Sequence, residues 1–293
     1  FYPALMWNGR FSALSGNPFD SSAGVSFTAP EGTTRFSNNP DKAWAEKFFL
    51  TFVPVFFVYN AVIQSMSWLD AGNFWHITQN ILMWIPYCVV LPAFLRRHSG
   101  VRWHESYWFK FNLWIFVFAW IGTYFLTEYF FDVMGMVYNY PHLRWSFDSQ
   151  LLGSGRQVVP LIMSRPAHYF FIAYHAGSVV VIRRLHSSRL GSLPVTRWLS
   201  IAATAWFFAW GEIYFTTNPS IADQFRYEDM AWALRWGAWF YACYFIVSFP
   251  MVYRVDENAG EDWPLGRVCS EALAAGMLAF LLLDAWRIRF EQP

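Results

Sequence analysis

Long stretches of the chain carry no formal charge. Residues 48–69, 71–95, 111–127, 166–182 and 236–253 each lack Asp, Glu, Lys and Arg. A helix needs about 20 mostly apolar residues to cross the hydrocarbon core of a bilayer. Five such runs predict a polytopic membrane protein built from α-helices. Two further apolar segments are interrupted only by acids: 198–222 around Glu212, and 268–286, which holds Glu271 and Asp284. The expectation is an all-α transmembrane bundle of about seven spans.

Residues 1–40 break this pattern. They are rich in Gly, Ser, Pro, Thr and Asn, with no helical or strand period, and read as an extended N-terminal arm. Phe1, Tyr2, Trp7, Phe11 and Phe19 would anchor that arm on a partner, other membrane protein subunits included. The chain opens on Phe1, as expected if a targeting segment had been removed. The transmembrane domain then covers 41–290. Its first helix is announced by "NPDKAWAEKFF": Asn39 is placed to cap, Pro40 suits the first helical position, and Asp41 complements the helix dipole. Pro54, Pro86 and Pro92 predict kinks in the first two spans. The longest loop, 132–165, exceeds ordinary connections and is expected to be a lid or a docking surface.

Composition agrees with a bilayer. Only 14% of residues are charged, against roughly 25% in soluble domains, and 22% are aromatic. The net charge of +1 and the absence of a basic stripe give no footprint for nucleic acid. The cysteines, Cys88, Cys243 and Cys269, are scattered in or beside apolar runs and read as small buried hydrophobes rather than metal ligands. Lys and Arg gather before span one and after spans two and four. That asymmetry places the N-terminus and the even-to-odd loops on the cytoplasmic or equivalent side.

Ionisable residues inside spans are costly and mark candidate sites. Glu212 sits mid-segment in "WFFAWGEIYFTTN" among aromatics, where desolvation disfavours its charged form. Glu128 ends span three, with Tyr124 one turn earlier. His168 and His175 are seven apart, which puts them on one helical face. That spacing does not chelate one ion within a straight helix, and no metal site or cofactor is expected. Asp229 and Arg235 flank the entrance to span six, as an interface ion pair or as the rim of a site. The residues define a cavity with carboxyls and imidazoles on its wall. It would suit proton transfer on a lipid, or binding of a ring-shaped lipid or pigment without chemistry.

Several long strings carry a resemblance: "NPDKAWAEKFFLTFVPVFF", "SYWFKFNLWIFVFAWIGTYFLTEYFF", "YHAGSVVVIRRLH", "YACYFIVSFPMVYRVDE" and "EDWPLGRVCSEALAAGMLAFLLLDAWR". In order and spacing, from about residue 36 to 287, they resemble the cycloeucalenol cycloisomerase (cyclopropylsterol isomerase) family. The resemblance implies a membrane enzyme of sterol biosynthesis, in the endoplasmic reticulum. It would open the 9β,19-cyclopropane ring of a cyclosterol to a Δ8 sterol without a redox cofactor. An acid protonates the ring methylene, a tertiary carbocation follows, and a base removes a neighbouring proton. Glu212 is the expected acid and His175 or His168 the expected base, with Glu128 a further catalytic candidate. Tyr124, Trp210, Asp229, Arg235 and Tyr244 are expected to contact substrate. Glu212, His168, His175, Asp229 and Arg235 match the family pattern. In span three, Leu126, Thr127 and Glu128 stand where it has a histidine-containing phrase.

A second reading stays open. A relative that had lost catalysis could serve as a lipid- or pigment-binding accessory subunit of a larger complex in a mitochondrial or plastid membrane. The aromatic-rich arm and Glu128 point that way; Glu212 points to the isomerase.

Overall fold

The structure is a computed structural model that describes residues 35–66, 68–147, 149, 151–155 and 157–290. Of the arm expected at 1–40, residues 1–34 lie outside the described residues, and Pro40 already belongs to the first helix. Helix α1 spans Pro40–Ser65. Asn39 caps it as expected, its Oδ1 accepting from the backbone N–H of Asp41 at 3.1 Å and of Lys42 at 3.5 Å. Pro40 occupies the first turn, where a missing N–H costs nothing.

The next rod is composite. Helix α2 (Asn73–Trp84) passes into a π-helical stretch, Ile85–Val90, and then into α3 (Leu91–Leu95). Pro86 and Pro92 sit at the starts of the π-helical and α3 pieces, so each proline falls where the hydrogen-bond ladder changes step. The third rod repeats the device: α4 (Tyr107–Ile121), a π-helical Gly122–Leu126, and α5 (Thr127–Met134). Thr127 Oγ1 donates to the Gly122 carbonyl at 3.2 Å, a second bond to the oxygen that accepts the Thr127 N–H across the widened turn.

Four more helices follow: α6 (Ser164–His186), α7 (Pro194–Thr216), α8 (Met230–Tyr253) and α9 (Leu265–Phe290). Seven helical rods thus run between the two ends of the bundle among the described residues. Four of them, Pro40–Ser65, Asn73–Leu95, Tyr107–Met134 and Leu265–Phe290, are long and apolar enough to cross a membrane on that ground alone. The protein is a polytopic membrane protein.

Helices α7 and α8 approach closely because their facing positions are small. Ala205, Ala209 and Ala233 are fully buried, and a Cβ on Gly237 would lie 2.2 Å from Ile213 Cδ1. That contact fixes the height of α7 beside α8, and with it the position of Glu212.

The loop expected at 132–165 is shorter than that range. Helix α5 runs on to Met134, where Gly135 ends it in the left-handed conformation (φ 65°), and α6 begins at Ser164. Between them, β1 (Met136–Tyr138) pairs antiparallel with β2 (Phe225–Tyr227), Val137 opposite Arg226. This small two-stranded ribbon, one strand before α6 and one after α7, covers one end of the bundle.

The opposite end is tied by charge. Lys42 is fully buried, and its Nζ donates to the Tyr253 and Val255 carbonyls, each at 2.6 Å, and pairs with Glu257 at 2.8 Å. Arg183 bridges Glu46 at 2.6 Å and Glu257 at 2.7 Å. Lys110 holds Asp256 at 2.7 Å, and Asp41 accepts from the Tyr107 N–H at 2.6 Å. Four rods and the α8–α9 turn are joined here by groups that would be prohibitively expensive if left unpaired.

Candidate active site

Under the β1–β2 cover lies a cavity of about 220 Å³. Its wall is largely aromatic and aliphatic, including Phe130, Phe171, Tyr244 and Phe245. Gly122 and Thr123, from the second π-helical stretch, border it as well. A π-bulge widens the rod and turns side chains that a regular helix would point elsewhere.

Glu212 is the one carboxyl among the described residues on that wall. Helix α7 presents it, and Tyr174 on α6 donates its hydroxyl to Glu212 Oε2. One turn further along α7, Thr216 Oγ1 donates to the Glu212 carbonyl at 2.9 Å and lies 3.3 Å from Tyr227 Oη. Burial pushes the Tyr227 phenol up to about 12 and raises those of Tyr138 and Tyr140. These cover phenols therefore remain protonated donors.

Other polar groups on the wall are neutral. Asn60 and Gln64 lie one turn apart on α1, and Gln64 Oε1 accepts from Asn218 Nδ2 at 3.3 Å and from Ser220 Oγ at 3.2 Å. The sequence reading missed them. Their signal was available: two amides at i and i+4 inside a charge-free run share one helical face.

Of the residues expected at the site, Glu212 and Tyr244 meet at this cavity. His175 lies behind the wall. Its Nδ1 faces the Phe171 carbonyl at 2.7 Å and must donate, so Nε2 accepts from Ser248 Oγ at 2.9 Å. His168 is buried between the rings of Trp84 and Phe116, away from the cavity wall. Glu128 is buried against the loop, where a Cβ on Gly153 would fall 1.9 Å from its Oε2. The Tyr124 ring packs on Phe125 and Phe147. Trp210 stacks on Tyr214 and is 49% exposed on the outer face of α7. Asp229 caps α8, accepting from the Trp232 N–H at 2.9 Å, and the Arg235 guanidinium rests over the Trp236 ring. None of these seven borders the cavity.

The architecture is that of a polytopic membrane protein with an apolar cavity and, among the described residues, a single carboxyl on its wall. Over 258 residues the chain is 33% identical to the cycloeucalenol cycloisomerase of Arabidopsis thaliana, a match covering 85% of this chain and 87% of that protein. The chain belongs to the cycloeucalenol cycloisomerase family. No family model matches it, and no solved structure does.

Proposed function

We propose that the protein is a membrane sterol isomerase that opens the 9β,19-cyclopropane ring of a cyclosterol, with Glu212 as the proton donor. The observation that carries this reading is the one carboxyl among the described residues on an apolar wall, held by the Tyr174 hydroxyl.

Glu212 delivers its proton to the ring methylene carbon. The bond from that methylene to the ring-junction carbon breaks, leaving a methyl group and a tertiary cation. The faces of Tyr244 and Phe130 stabilise the cation by about 0.5–2 kcal/mol each. A proton then leaves the adjacent ring carbon, and its bonding pair closes the double bond. No second carboxyl and no imidazole borders the cavity among the described residues. The Glu212 carboxylate formed in the first step is therefore the acceptor, and the protonated acid is restored. The cycle is closed in protons and needs no oxidant or reductant.

The free volume of about 220 Å³ falls below the ~300–1,000 Å³ common for ligand pockets. A four-ring substrate requires the β1–β2 cover or the phenylalanine lining to move outward. The endoplasmic reticulum is the membrane where such chemistry would operate.

The test is expression in cells lacking a cyclosterol isomerase, followed by sterol analysis by gas chromatography–mass spectrometry. Conversion of the accumulated cyclosterol to its Δ8 product supports the reading. No conversion, by a chain shown to be folded in the membrane, overturns it.

A further inference from the structure

Two amides of α1 stand on the wall of the Glu212 cavity, each with its orientation fixed by a neighbour. Asn60 Nδ2 donates to the Phe56 carbonyl at 2.8 Å, which leaves Asn60 Oδ1 unused. Beyond α7, Asn218 Oδ1 accepts from the Ser220 N–H at 3.0 Å, so Asn218 Nδ2 is the atom turned toward Gln64. Gln64 Oε1 accepts from it at 3.3 Å and from the Ser220 hydroxyl at 3.2 Å. A flipped Gln64 would set two N–H groups against each other. Asn60 Oδ1 and Gln64 Nε2 thus have no hydrogen-bond partner among the described residues. Neither atom is sealed in the packing. Both side chains are half-buried on the cavity side, while Val58 and Val62 carry the exposure of the opposite face of α1.

We infer that the 3-hydroxyl of the sterol docks between these amides, donating to Asn60 Oδ1 and accepting from Gln64 Nε2, and that the cavity thereby selects a free 3-hydroxy sterol. An open acceptor and an open donor at i and i+4, with Cβ atoms about 5–6 Å apart, span one hydroxyl. The hydroxyls of Thr123 and Tyr244 are on the same wall but can rotate, whereas the amides are held.

The depth agrees. Helices α1 and α7 both run from the charged end toward the cover. Gln64 and Asn218 meet side by side. Asn60 lies about 6 Å deeper than Gln64, and Glu212 about 9 Å deeper than Asn218, at about 1.5 Å per residue. A hydroxyl held between the amides is therefore about 6 Å above the carboxyl. In a sterol the 3-oxygen and the 19-methylene are about 5 Å apart by ordinary bond lengths. The hydroxyl in this seat brings the methylene to Glu212. That its carrier is a cyclosterol rests on the proposed isomerase function.

The experiment measures displacement of a tritiated cyclosterol from the full chain in detergent, with turnover followed in parallel. The unlabelled 3-alcohol should displace it about tenfold better than the matching 3-ketone, which is close in size but cannot donate. Asn60→Leu should bring alcohol and ketone together, and raise KM for the alcohol more than it lowers kcat. Gln64→Glu keeps the bonds from Asn218 and Ser220 but removes the donor, and should weaken the ketone about tenfold. Equal displacement by alcohol and ketone in the native chain would overturn the assignment. So would a preference that survives Asn60→Leu and is erased by Thr123→Val or Tyr244→Phe. Cyclosterol conversion without preference for the alcohol defeats only this inference; alcohol-selective binding without conversion defeats only the isomerase reading.

Discussion

Tyr174 on α6 donates its phenolic hydroxyl to Oε2 of Glu212 on α7. The bond crosses between two helices and fixes the rotamer of the only carboxyl bordering the cavity among the described residues. Tyr174 is therefore a positioning residue. Tyr174→Phe removes one donor and nothing else. Turnover should fall by about tenfold, the worth of a single hydrogen bond, with little change in KM. Steady-state kinetics on the purified variant checks this, and an equal rise in KM would instead assign Tyr174 to substrate binding.

The histidines give a contrasting expectation. General acid–base groups contribute roughly 10²–10⁴ in rate. Among the described residues the His175 ring bonds to Phe171 and Ser248, behind the cavity wall. His175→Asn should lower stability by about 1–3 kcal/mol through orphaned partners. Activity per folded molecule should stay close to native. A loss of a hundredfold or more, with the melting temperature preserved, would return His175 to the chemistry.

The charged end of the bundle should dominate stability. Arg183 is buried and pairs with both Glu46 and Glu257. Arg183→Met removes the buried Glu46 carboxylate's ion pair and leaves Glu257 with Lys42 alone, and breaking such a network costs about 3–5 kcal/mol. Thermal unfolding in detergent should show a drop of many degrees. An unchanged melt would mean that water reaches the cluster and solvates it.

The same cluster predicts an acid limit. Burial works against ionisation of Glu257, but the Arg183 hydrogen bond and the Lys42 charge outweigh it and hold its carboxyl below the ordinary 4.5. A carboxyl with a depressed folded value contributes stability above its unfolded value and loses it as pH falls through the folded one. Glu257 should therefore support the fold at neutral pH and lose that contribution progressively as pH falls from about 4.5 through its lower folded value. Melting curves of native protein and Glu257→Gln should differ at pH 7 and converge in acid. A constant gap across pH would contradict the assignment.

Much of this architecture was legible in the sequence. Charge-free runs marked the rods, and Asn39, Pro40 and Asp41 marked the start of α1. Glu212 stood out because an acid amid aromatics has few structural excuses. Three features were hidden. The π-helical stretches are made by five-residue backbone bonds, Leu91 N–H to the Pro86 carbonyl and Thr127 N–H to the Gly122 carbonyl, and no periodicity announces them. The β1–β2 pair is three residues long on each side and joins segments some 90 positions apart, so its pattern is too short to read. The histidines do lie two turns apart, but helical spacing cannot say which neighbour a face meets: for His175 it is Ser248, and for His168 it is Trp84 and Phe116. Likewise, Glu46, Arg183 and Glu257 lie 137 and 74 residues apart, and only packing reveals them as one cluster.

The central claim is that Glu212 carries the proton. The most direct measurement is cyclosterol turnover by purified native protein and by Glu212→Gln, with both shown to be folded by the same melting transition. An amide has nearly the same shape and still accepts from Tyr174, but it cannot act as the acid. The account predicts Δ8 sterol from the native chain and a fall of at least about 10²-fold in the variant. Turnover by Glu212→Gln at the native rate would contradict it.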